Sequence, residues 1–190
     1  MRPLESFNTH SRGFSLIEVM VALVVLSIGL LGVAKMEALS LSSTTVASMR
    51  SLAAIQASSL AASMHENRGY WTKADPSSAT IKAQGATVTV TAGAPLLAAS
   101  LAAPPNCNVW ATPCSVADTA AFDLQQWANA LQGLLPNDTA TIACNGLTPI
   151  ACTVNITWSE NAVAVNAQAA AAANSAAQFQ LPSYTLYVEP

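Results

Sequence analysis

Charge is scarce in this 190-residue chain: Asp, Glu, Lys and Arg together make up 9% of it, where about a quarter is usual. The 7 basic and 10 acidic side chains leave a net charge of −3. No basic stripe runs along any segment, which argues against a direct nucleic-acid partner. Histidine occurs only at positions 10 and 65, far apart and away from the cysteines. That spacing suits neither a zinc-binding pair nor a Cys–His nucleophile. The chain also lacks a Gly-x-Ser-x-Gly elbow, a phosphate-cradling glycine loop and a cluster of carboxylates. No catalytic class is signalled, and no cofactor or metal is expected. Proline is absent between Pro3 and Pro76, which leaves a long stretch free to be helical.

What is present is apolar. Hydrophobic residues make up 52% of the chain, many of them alanine. From Phe14 to Ala34 there are 21 residues with a single charge, Glu18. At ~1.5 Å per residue such a helix reaches about 30 Å, the thickness of a bilayer hydrocarbon core. The run is too long and continuous for the apolar region of an ordinary cleaved signal. Arg2 and Arg12 precede it, so the positive-inside bias puts the N-terminus in the cytoplasm and the rest outside. A lone acid at the edge of such a helix is costly and wants a partner. Cutting the chain between Gly13 and Phe14 would supply one, a new terminal amine.

The order Gly13-Phe-Ser-Leu-Ile-Glu18-Val-Met-Val-Ala-Leu23 resembles the class III signal of type IV prepilins and type II secretion pseudopilins. The resemblance implies that a prepilin peptidase cuts after Gly13 on the cytoplasmic face and N-methylates Phe14. The helix then waits in the inner membrane until it packs into a filament core, with the head in the periplasm. Glu18 becomes the fifth residue of the mature chain, where that family keeps its acid. The implied partners are the peptidase, the inner-membrane pilus assembly platform and other minor and major pilins. Losing Arg2, Arg12 and Glu5 with the leader leaves 5 basic and 9 acidic side chains, a net of −4. Many major pilins bend this helix with a proline; Lys35 stands at the matching place here, so no kink is expected.

The pattern divides into a leader (1–13), a membrane helix (14–34), an exported half of the same helix (35–67) and a head (68–190). Leu39, Val46, Met49, Ala53, Leu60 and Met64 form a slowly drifting stripe on one helix face. Ser42, Ser43, Thr44 and Thr45 are poor helix formers, so this stretch should depend on packing. Gly29 and Gly32 are either points of close helix contact or merely tolerated. Gly69 and Pro76 are expected to end the helix. Gly85–Thr91 alternates like a strand, with a two-stranded excursion from the main sheet as its setting, and Ala92–Pro105 reads as a loop or short helix.

Ser115-Val-Ala-Asp118 reads as a capping box. Phe122, Leu124, Trp127, Ala128, Leu131, Leu134 and Leu135 follow at mostly helical spacing, and Pro136 stops them. Thr139–Cys144, Cys152–Trp158 and Thr185–Val188 read as strands, with Ala162–Gln178 a surface loop or weak helix. The expected fold is α+β: a long N-terminal helix packed on a small antiparallel sheet, with one extra helix. Asn67-Arg-Gly-Tyr70, Asp123-Leu-Gln-Gln-Trp127, Leu134-Leu-Pro136 and the strand ending at Trp158 resemble the PilV family of minor pilins, the type IV pilus modification proteins.

The four cysteines, Cys107, Cys114, Cys144 and Cys152, all fall in the exported half, where disulfides persist. Of three possible connectivities, Cys107–Cys114 with Cys144–Cys152 is favoured, because each encloses a short segment containing Pro113 or Pro149. A four-thiolate zinc site is the alternative, against which stand spacers of six and seven residues where two to four are usual. Asp118, Asp123 and Asp138 read as caps and solvated faces, and Trp127 and Trp158 as core; tryptophans are more often core than contact, and Trp110 is the best candidate among the four for an exposed contact. The pattern points to a minor type IV pilin at the filament tip. A type II secretion pseudopilin and an independently acting anchored domain are the alternatives.

Overall fold

A computed structural model describes residues 13–103, 106–107, 113–160 and 181–190. Residues 1–12 of the leader, Trp110 and Ala162–Gln178 lie outside the described residues. The chain divides into two units, Met1–Leu41 and Ser42–Pro190. Helix α1, Leu16–Glu66, contributes to both over 51 residues. No proline interrupts it, and Ser27 and Ser58 return their hydroxyls to the carbonyls of Leu23 and Ala54, four residues back. In the second unit the expected stripe is buried in steps: Val46 and Met49 partly, Ala53, Leu60 and Met64 fully. Ala57 completes that face.

Gly69 does not end α1, contrary to expectation. The helix stops at Glu66, and Gly69 sits inside the short helix α2, Arg68–Trp71. Asn67 makes the break with φ −98° and ψ 47°, and its side-chain amide donates to Val116 O at 2.8 Å. A Cβ on Gly69 would stand 3.2 Å from Val116 Cγ1, so this glycine permits close approach. Tyr70 and Trp71 are both buried, with their rings edge to face at 5.2 Å.

Five strands form one antiparallel sheet: β1 Thr80–Gln84, β2 Thr87–Ala92, β3 Thr139–Cys144, β4 Cys152–Thr157 and β5 Ser183–Val188, in the order β2-β1-β3-β4-β5. The β1–β2 hairpin is no excursion, since β1 pairs with β3 along its full length. On β3 and β4 the buried side chains alternate as expected, Ala140, Ile142 and Cys144 facing Ile156, Val154 and Cys152, in that order, across the ladder.

Helix α4, Val116–Leu134, lies against this sheet and α1. Ser115 Oγ accepts from Asp118 N–H at 3.1 Å and the Asp118 carboxylate accepts from Ser115 N–H at 3.2 Å, so the capping box is complete. Leu124, Trp127, Ala128, Leu131 and Leu135 are buried, while Phe122 is half-buried and Leu134 exposed. Trp127 Nε1 donates to Gln56 O at 2.9 Å, tying α4 to α1. The Ala92–Pro105 segment contains helix α3, Pro95–Ala102, which packs on α4. Ser100 Oγ joins them by donating to Asp118 Oδ1 at 2.8 Å. Trp71, Trp158, Leu60, Ile81, Leu97 and Ile142 are among the largest fully buried side chains of one continuous core.

Candidate assembly site and the polar groups of the head

At the N-terminus Gly13, Phe14 and Ser15 are non-helical, and α1 starts at Leu16. Ser15 C=O accepts from Glu18 N–H at 3.0 Å and from Val19 N–H at 3.3 Å, the first turn of the helix. Glu18 therefore lies in the first turn, where the exposed N–H groups favour a negative charge. Phe14 is 83% exposed, and Leu16, Ile17, Leu23, Leu26, Ile28, Leu30 and Leu31 are exposed as well. An 18-residue window of α1 is apolar and long enough to cross a membrane, and none of it is buried. Gly29 and Gly32 have no atom within 4 Å of the place a Cβ would occupy. The apolar surface of this segment is thus available to lipid or to other helices.

In the head, Cys107 is bonded to Cys114 and Cys144 to Cys152. Cys144 and Cys152 are direct partners in the β3–β4 ladder, and Asn145 Oδ1 closes the loop beyond them by accepting from Ala151 N–H at 2.9 Å. No cysteine is free, and no group of three metal-ligating side chains occurs among the described residues. The core placement of Trp127 and Trp158 holds, at 6% and 1% exposed. Arg50 makes a two-pronged pair with Glu160, which also accepts from Trp158 Nε1 at 3.1 Å.

Asp118, Asp123 and Asp138, read from the sequence as caps and solvated faces, have separate fates. Asp118 is a cap: hydrogen bonds from the Ser115 hydroxyl, the Ser100 hydroxyl and the Ser115 N–H hold its pKa below the ordinary value. Asp123 is half-buried, and burial followed by the nearby Glu66 raises its pKa. It shares a cleft of roughly 350 Å³ with Gln56, Ser59, Ser63, Gln126 and Trp127. Asp138 is not on a solvated face, as the sequence suggested, but buried at 4% exposure. Burial raises its pKa, opposed by hydrogen bonds from its own N–H and that of Gly85, and its Oδ2 has no hydrogen-bond partner. An orphaned buried acceptor of this kind costs about 1–3 kcal/mol or more. Nothing local signals the burial, because Pro136-Asn-Asp138 reads as a turn. Tyr70 is another buried titratable group; burial and its 2.7 Å hydrogen bond to Asp75 raise its pKa well above the ordinary value.

A long N-terminal helix followed by a small five-stranded antiparallel sheet and extra helices is an α+β, pilin-like fold. Residues 8–34 match the family described as Prokaryotic N-terminal methylation motif. The match supports a type IV pilin or pseudopilin, a class that works in pilus or secretion assembly. It implies processing by prepilin peptidase and assembly with other pilins. No curated protein and no solved structure matches the chain.

Proposed function

We propose that this chain is a minor subunit of a type IV pilus, of the PilV kind, which helps prime or modify the filament and occupies its tip. In this reading Gly13–Phe14 is the peptidase cut, Phe14 the methylated terminus and Glu18 the residue that sets the register of assembly. The head faces the periplasm before it joins the filament, and the role is structural rather than catalytic. The observation that carries the proposal is the methylation motif over residues 8–34, with one acid in the first turn of an exposed, membrane-length helix.

The chemistry supports that role. The terminal amine of Phe14 on one subunit and Glu18 on the next would meet as both leave the lipid. Burying two charges costs several kcal/mol, which good geometry offsets, whereas stranding one costs roughly 3–5 kcal/mol. The pair therefore enforces register more than it adds stability. Glu18→Leu is expected to insert and be processed normally, yet to enter filaments about 100-fold less or worse, the equivalent of that stranded charge. Quantitative immunoblotting of sheared filaments against membranes reads this directly, and normal incorporation of the variant would sink the proposal. Intact-mass measurement of the membrane-purified protein should give a chain starting at Phe14 with one methyl group added. A pseudopilin shares the same signal; a deletion strain that keeps its pili but loses secretion would decide for that alternative.

A further inference from the structure

Asn145-Gly146 is the one Asn-Gly pair in the chain, and the turn after β3 holds it unevenly. The main chain of Asn145 is anchored on both sides: its N–H donates to Ala151 C=O at 2.9 Å, and its C=O accepts from Ser78 N–H at 3.0 Å. Its side-chain Oδ1 accepts from the N–H groups of Ala151 at 2.9 Å and Leu147 at 3.4 Å. Both neighbours are donors, which fixes the oxygen on their side and leaves Nδ2 on the other. Nδ2 donates to nothing among the described residues, and neither does the N–H of Gly146, which is exposed. Packing requires the glycine here, since a Cβ would stand 2.6 Å from Ser78 Oγ.

We propose that Asn145 is a self-modifying site, at which the folded turn converts the side-chain amide to a carboxylate with water as the only co-reactant. The Gly146 nitrogen, once it has lost its proton to solvent, attacks Cγ of Asn145. A bond forms between that nitrogen and Cγ, the Cγ–Nδ2 bond breaks, and Nδ2 leaves as ammonia with a proton returned by solvent. Water then opens the five-membered imide at one of its two carbonyls, giving aspartate or its isoaspartyl isomer. Three features of the turn favour the attack. The Ser78 N–H draws electrons from the peptide unit that carries the Gly146 N–H, which makes that proton more acidic. The bond from Leu147, two residues on, folds the Asn145 side chain back over its own backbone, towards the attacking nitrogen. The two N–H groups on Oδ1 are in place for the negative charge that develops there, as in a main-chain oxyanion hole. The aspartate product keeps both bonds with a charged acceptor, and so matches the turn better than the amide does. The head thereby gains a negative charge in the loop closed by Cys144 and Cys152.

The test incubates the full chain in detergent micelles, disulfides intact, beside the same chain unfolded in guanidinium chloride at the same pH. Peptide mapping by mass spectrometry follows the exchange of an amide for a carboxyl at position 145, and electron-transfer fragmentation separates aspartate from isoaspartate. The expected result is conversion about tenfold or more faster in the folded chain, the gain from a hydrogen bond to a developing charge. The folded rate should rise with pH, because the attacking nitrogen must first lose its proton. Conversion at Asn145 that is equal or slower in the folded chain overturns the proposal, and so does conversion confined to other asparagines. Asn145→Asp, which installs the product directly, should melt no lower than the parent at neutral pH. A lower melting temperature would show that the turn is not matched to a carboxylate.

Discussion

Leu30 and Leu60 lie on the same helix and meet opposite surroundings, one 69% exposed and the other 1%. Around Leu30 nearly every residue is apolar, and no stripe separates a wet face from a dry one. Around Leu60 the apolar residues recur at helical spacing, and serines occupy positions between them. The difference teaches that all-round apolarity calls for a partner outside the chain, whereas a stripe has its partner within it. One unbroken helix thus carries two kinds of burial, and each can be disturbed without touching the other.

The largest separation should come from Trp158→Ala. Trp158 is 1% exposed and donates to Glu160, so the truncation should cost about 3–5 kcal/mol of head stability, read by chemical denaturation. Leu30→Ala should change head stability by less than about 0.5 kcal/mol; a large loss there would break the comparison. Next in size is Ser115→Ala, which removes one half of the capping box of α4 and should cost about 1 kcal/mol in the same assay.

The smallest effect is one of slope. The folded pKa of Asp138 is raised by burial, so the native state holds this proton at pH values where the unfolded chain has released it. Stability from this group is then full below the unfolded carboxylate value, about 3.9, and is lost as pH rises through the raised folded value. Asp123 acts in the same direction, and the lowered Asp118 in the opposite one. Melting temperatures of Asp138→Asn and the parent should therefore diverge in favour of the variant as pH rises from about 4. Parallel curves would show that burial does not govern this carboxylate.

How far the sequence could be read follows from the range of the forces involved. Strand β3 was legible to its ends, and β4 to within one residue, because their alternation of apolar and polar residues is local and regular. The capping box of α4 was legible for the same reason. Strand β1 was not, since Thr-Ile-Lys-Ala-Gln offers only Ile81 and Ala83 to the core, and alanine is a weak strand former. Its place in the sheet depends on pairing with β3, more than 50 residues away. The burial of Asp138 is likewise tertiary, fixed by the β1–β2 turn coming close enough for Gly85 to donate to it. The methylation motif is linear and needs no folded context, so residues 8–34 carry it in full.

Helix α3 has no cap of its own. Ala94, at its N-cap position, is left-handed and has no side-chain oxygen to give. Asp75, some 20 residues earlier, does the work at a distance: its backbone C=O accepts from Ala94 N–H at 3.0 Å and its Oδ1 from Leu96 N–H at 3.1 Å. Its Oδ2 is held in turn by the Tyr70 hydroxyl. Eight residues are too few to stay helical unaided, so α3 has no reason to form before the chain has closed on Tyr70 and Asp75. Amide exchange in α3 would then proceed with the opening of that closed loop rather than by fraying from its own end. A helix on the surface of the head thereby becomes an internal clock of whether the head is shut.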